Sequence, residues 1–147
     1  MEQHFINSLF YKIGQTARLC DTLCASFFKK YSQGEISFDE FIIIDTILCN
    51  PDICQRDLAK LILKDASHLS KILNNLEQRE LISRPISKKG NRTVRKITIT
   101  ENGINLHAFA SQIAIDFATK IDIAVGLTET KKCSSYLDKI IDKIKEN

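Results

Sequence analysis

Between Asp57 and Gly103 the spacing of apolar residues changes period twice, and few small folds accommodate that order. Ile53–Leu63 carries Leu58, Ala59, Leu61 and Ile62 on what would be one helical face. Asp65–Arg79 does the same with Leu69, Ile72, Leu73 and Leu76. Leu81–Ser87 and Val94–Thr100 then alternate as strands do, joined through Lys88-Lys89-Gly90-Asn91-Arg92. Pro85 cannot donate to a ladder and suits an edge position. Thr100 can cap a further helix, although Gly103 in its first turn is a poor helix former. Helix, turn, helix, strand, basic loop, strand and helix is the order of a winged helix-turn-helix. The fold class expected is mainly α with a small β-hairpin wing. That architecture lays one helix in a DNA major groove and the hairpin on the flanking backbone.

The flanks are helical too. Phe5 to Phe28 has apolar residues three and four apart, which predicts a long amphipathic helix. Ser32-Gln33-Gly34 breaks it. Ser37 with Glu40 three residues on is a capping-box pattern opening a second helix through Phe41–Leu48, and Asn50-Pro51-Asp52 ends that helix. From Ile104 to Val125 the chain is apolar on most sides, so this helix must be covered on several sides. Gly126-Leu127-Thr128 interrupts, and Thr128 opens a last helix with Tyr136, Leu137, Ile140, Ile141 and Ile144 on one stripe. We therefore expect one domain over 1–147: a winged-helix lobe at 32–103, with dimerisation helices at 1–31 and 104–147. A homodimer is the simplest sink for the surplus apolar surface. Its two reading heads would lie about one DNA turn apart, roughly 34–36 Å, on a pseudo-palindromic operator of double-stranded DNA.

Net charge is only +3, but its distribution is uneven. Ile53–Thr100 holds 11 Lys and Arg against 4 Asp and Glu, and the rest of the chain is net acidic. A basic middle on an acidic scaffold is the electrostatic footprint of a DNA reader. The five cysteines form no CxxC pair and the three histidines are scattered, so neither a disulfide framework nor a metal site is expected. No phosphate-cradling glycine loop or nucleophile–base pattern stands out, so the chain is expected not to be an enzyme and to need no cofactor. No apolar run is long enough to cross a bilayer and the start lacks a signal-peptide pattern, which leaves a cytoplasmic protein as the expectation.

On the second helix of the motif, Ser67, His68, Ser70, Lys71, Asn74 and Asn75 lie opposite the apolar face. Ser67, His68 and Lys71 occupy its N-terminal half, which enters the groove deepest. Lys71 suits guanine O6/N7, and an asparagine suits adenine N6/N7. Asn75, farther along, suits a phosphate, and His68 reads equally well as a surface histidine. Lys88, Lys89, Arg92 and Arg95 fall on the wing, for backbone or minor groove. Six basic residues lie from Arg84 to Lys96 with no acid among them. Gln55 and Arg56 open the preceding helix, whose terminal amides favour a phosphate.

These residues resemble the MarR family of bacterial transcription regulators. Asp57-Leu58-Ala59 is similar to the start of that family's first motif helix, and Ser67–Glu77 to its recognition helix. Arg79 and Leu81 match its turn into the wing, Arg84 the arginine of its first wing strand, and Ile97–Gly103 its exit from the wing. The chain departs from the family at three places. Glu80 and Leu63 or Lys64 stand where the family has glycine, and Asn91 and Thr93 stand where its wing has Asp-x-Arg, with Arg92 and Arg95 as neighbours. The resemblance implies a dimeric sequence-specific regulator, most often a repressor, released by a small-molecule effector or an oxidant. Because some members sense oxidants through a cysteine of the first helix, Cys20 and Cys24 are the candidates for a redox input. Against that stands the ordinary role of mid-helix cysteines as small buried hydrophobes. A winged helix used as a protein-interaction module is the alternative of another class.

Overall fold

The computed structural model describes residues 4–89 and 92–146, with backbone only for 87–89 and 92–94. A 3-10 turn at Phe5–Asn7 is followed by helix α1 (Leu9–Tyr31), then α2 (Phe38–Cys49), α3 (Gln55–Ile62) and α4 (Ala66–Gln78). Four short strands come next: β1 (Ile82–Ser83), β2 (Ile86–Lys89), β3 (Arg92–Arg95) and β4 (Thr98–Ile99). Helices α5 (Glu101–Val125) and α6 (Leu127–Lys145) complete the chain. One compact unit ends at Ile113, inside α5, and a second begins at Ala114.

In the first unit the first helix starts four residues later than its apolar spacing predicts. Ser8 takes the N-cap, and its Oγ accepts from the Tyr11 amide at 3.2 Å. The capping box at α2 forms as expected: the Glu40 amide donates to Ser37 Oγ at 3.2 Å, and the Ser37 amide donates to Glu40 Oε2 at 2.8 Å. Helix α2 is the centre of this unit, with Phe41, Ile43, Ile44 and Ile47 all buried. Around it close Phe28 of α1, Leu58 of α3, Leu69, Leu73 and Leu76 of α4, and Ile82 and Ile97 beside the strands. Leu61 departs from its expected inward placement. It is 56% exposed, because α3 is only two turns long and turns Leu58 alone fully inward.

Each expected wing strand is broken in two. Ile82 pairs with Ile99 at the base, and Ile86–Lys89 pairs with Arg92–Arg95 in the arm, both antiparallel. The break falls at Arg84-Pro85, where proline has no amide to offer. The ladder is bridged there by the Lys96 amide donating to Pro85 O at 3.3 Å. Opposite this break the Ile97 amide donates to Ile53 O at 3.1 Å, tying the wing base to the segment that enters α3.

Gly103 sits where α5 leaves the wing and meets Leu81. A Cβ there would lie 2.1 Å from the Leu81 carbonyl oxygen, so only glycine allows the approach. Thr100 caps the helix, its Oγ1 accepting from the Gly103 amide at 3.1 Å.

The second unit is the end of α5 and α6, joined through Gly126 at φ 106. The last helix starts at Leu127 rather than Thr128. Thr130 Oγ1 instead donates to the carbonyls of Gly126 and Leu127. None of its described residues is buried, and Ile123, Leu127, Tyr136 and Ile144 are more than half exposed. No helix among the described residues is long and apolar enough to cross a membrane.

Candidate nucleic-acid interface

The turn between α3 and α4 is built without glycine. Leu63 takes the left-handed conformation at φ 52, and the Lys64 amide closes the helix end on Ala59 O at 3.3 Å. Asp65 then caps α4, its Oδ1 accepting from the His68 amide at 2.8 Å. That backbone hydrogen bond holds the Asp65 carboxyl below its usual range. At the far end Glu80 is also left-handed, at φ 56. The two departures from the family's glycines thus keep the backbone that glycine would supply.

Helix α4 buries Leu69, Leu73 and Leu76, with Ile72 half-buried, and exposes Ser67, His68, Lys71, Asn74 and Asn75 along the other side. Ser70 is half-buried. Two acids of α2 brace this helix. Lys64 Nζ donates to Asp39 Oδ1 at 2.8 Å, while His68 Nε2 lies 3.5 Å from Asp39 Oδ2. Partial burial of Asp39 pushes its pKa up. The hydrogen bonds and charges of Lys64 and His68 outweigh that and hold the carboxyl below its ordinary range. At the helix end, Arg79 donates to Glu40 Oε1 at 2.9 Å and to the Glu35 carbonyl. Sequence reasoning did not single out these braces, because the partners lie 25 to 44 residues apart and share no local pattern.

Arg84 is placed differently from the exposed basic residues. Only 11% of its side chain is exposed. Its Nε donates to Glu77 Oε2 at 3.0 Å, and Nη2 reaches both Glu77 and Asn74 Oδ1, the latter at 2.7 Å. The Arg84 hydrogen bonds hold the Glu77 carboxyl below its usual range despite some desolvation. Arg84 is thus a strut from the wing base to α4. Arg95 is exposed at the end of β3. Lys88, Lys89 and Arg92 lie on the paired arm, but their side chains fall outside the described residues, as do Gly90 and Asn91 entirely.

Gln55 and Arg56 border a groove of about 590 Å³ with Lys60 and Lys64 on its rim and Ala59 and Ala66 in its lining. Lys60 and Lys64 were not singled out from sequence, although Arg56 and Lys60 are one helical turn apart. A larger cleft, about 910 Å³, lies between α1 and the α2–α4 braces and is lined by Thr22, Ala25, Lys29, Phe38 and Arg79 among others. On α1, Cys20 is exposed and Cys24 buried. Burial pushes the Cys24 thiol up, and neighbouring Cys20 and Asp21 push it the same way, opposite to a reactive thiolate.

Known proteins share this arrangement. The chain is 19% identical to a MarR/EmrR family transcriptional regulator from Acinetobacter sp. ADP1, over 94% of this chain and 95% of that one, with a TM-score of 0.80. It is 18% identical to S. aureus MepR in a DNA complex, over 96% and 99%, with a TM-score of 0.73. It is 17% identical to Bordetella bronchiseptica BpsR, whose DNA binding is regulated by 6-hydroxynicotinic acid, over 97% and 99%, with a TM-score of 0.75. No curated protein matches the sequence. The MarR family model matches residues 36–94, from the start of α2 to the second strand of the wing arm. Over residues 36–94 the sequence matches the MarR family model, and along nearly its whole length the chain has the winged-helix fold of these MarR-type structures.

Proposed function

We propose that this protein is a homodimeric, sequence-specific DNA-binding transcription regulator, and a repressor that a small molecule or oxidant releases. The observation that carries the reading is the outer face of α4. Ser67, Lys71, Asn74 and Asn75 stand exposed there, braced from behind by Asp39, Glu40 and Arg84, with Arg95 and the Arg56 groove to the sides. Helix α4 would enter the major groove, while the wing and the start of α3 hold phosphates. The DNA complex of S. aureus MepR supports this assignment. The exposed apolar residues of the first turn and α1 (Phe5, Ile6, Leu9 and Phe10), with those of the last two helices, would be the dimer surface. The expected division is then a winged-helix lobe at 32–103 with dimerisation helices at 1–31 and 104–147. The cleft beside the braces is where an effector would act, by binding one spacing of the reading heads better than the other. Regulation of BpsR by a small aromatic acid favours a ligand over an oxidant, as does the raised Cys24 thiol.

Salt titration of duplex binding tests the core of this reading. Affinity should fall steeply as salt rises, as displaced counterions require. Undetectable binding at low salt, or affinity indifferent to salt, would refute it.

A further inference from the structure

The amides on α4 carry more information than DNA binding alone. A guanidinium only donates. Whatever atom faces Arg84 Nη2 across 2.7 Å must accept, so Asn74 turns its carbonyl oxygen inward and its amino group outward. Asn75 is turned the same way, more loosely: Arg79 Nη1 donates to its Oδ1 at 3.4 Å. Lys71, one turn before Asn74, is exposed and also only donates. His68 turns Nε2 toward Asp39 and lies in the first turn of α4, outside this middle stretch.

Asparagine recognises adenine with both ends of its amide, Oδ1 accepting from N6 and Nδ2 donating to N7. With Oδ1 held inward, that pairing is lost. Guanine presents two acceptors, O6 and N7, and asks for donors alone. We propose that Arg84 is a specificity-positioning residue: by holding the Asn74 carbonyl inward, it makes the middle of α4 a donor-only surface that selects guanine over adenine in each half-site. The proposal rests on the DNA-binding reading above. It replaces the adenine pairing that the sequence alone suggests for an asparagine on this face.

The test uses the full chain and a pool of duplexes with a randomised centre, with bound molecules sequenced and relative affinities read position by position. Wild type should prefer guanine to adenine at one position per half-site by roughly tenfold. Asn74→Ala should erase that preference there and leave the other positions unchanged. Arg84→Lys keeps a charge for Glu77 but lacks the planar fork that spans both acceptors, so the amide turns and adenine is admitted. The guanine-to-adenine ratio should then fall to about twofold or less. In the Asn74→Ala background, Arg84→Lys should change that position no further, whereas a purely structural arginine would still alter it. Adenine preferred at the position that depends on Asn74 would overturn the proposal, as would an unchanged ratio in a folded Arg84→Lys protein. If Arg84→Lys does not fold, the base lost in Asn74→Ala decides by itself. Wild type that binds every sequence equally sinks the proposal but spares DNA binding; wild type that retains no duplex at low salt sinks both.

Discussion

Gly103→Ala separates two opposed physical effects by sign. Gly103 lies within the first turn of α5, where helix propensity alone favours alanine by about 1 kcal/mol. A Cβ at this site would stand 2.1 Å from the Leu81 carbonyl oxygen and 2.7 Å from Ile99 Cγ2. The first neighbour is backbone and cannot rotate away. The same oxygen accepts the Thr100 amide at 3.1 Å, and Ile99 is paired with Ile82 in the base of the wing. Making room means moving α5 off the wing base by about an ångström. Overpacking of this kind costs about 1–3 kcal/mol, and weakening the Thr100 hydrogen bond costs about 1 more. Set against the propensity gain, the net loss is about 2 kcal/mol, a large share of the stability of a small domain. Urea denaturation followed by circular dichroism measures it, with an unchanged slope showing that the transition itself is the same. Gly14→Ala is the control. Gly14 is also helical, but its added Cβ meets only the Arg18 side chain at an ordinary 3.5 Å. That variant should gain about 0.5–1 kcal/mol. Gly103→Ala as stable as wild type, or more so, would refute the close-approach argument.

Leu63→Gly should stabilise by about 0.5–1 kcal/mol in the same assay. It relieves a left-handed leucine, and that side chain is 90% exposed, so little packing is lost. Asp39→Asn should lower stability near neutrality by about 1 kcal/mol or less, since the pair is partly exposed. Because the Asp39 pKa is lowered on folding, its contribution is present above the usual value of 3.8 and is lost as pH falls through the depressed one. Melting curves of Asp39→Asn and wild type should therefore converge in acid, and a constant gap down to pH 2 would contradict this. Lys71→Ala should relax one operator position by about 1–3 kcal/mol. Arg95→Ala should weaken binding to all duplexes alike and make the salt slope shallower by about one unit. Equal losses from both variants on specific and random DNA would reverse the division of roles.

The elements of the winged helix were legible because their signals are local. The Ser37–Glu40 capping box, the Leu69-Leu73-Leu76 face and the Pro51 stop each act within one turn of chain. What was not legible depends on distance. Asp39 meets Lys64 and His68 only after α2 packs under α4, and nothing near Asp39 in sequence announces the pairing. Arg84 reads from sequence as one more wing cation, but the fold closes Glu77 and Asn74 around it. Gly103 reads as a weak point in a helix because the carbonyl that excludes a side chain belongs to Leu81, on the other side of the wing. The broken strands follow from Pro85, which sequence places at an edge without saying that the ladder stops there.

The last helix carries a thermodynamic consequence of its own. With no described residue buried in the second unit, α6 has no core to hold it and must draw its order from whatever covers its apolar stripe. In the proposed dimer its apparent stability would be set by mass action, rising with partner concentration as RT ln(1 + [L]/Kd), whereas the lobe built around α2 carries its own core. Dilution should therefore loosen the two ends of this chain unequally.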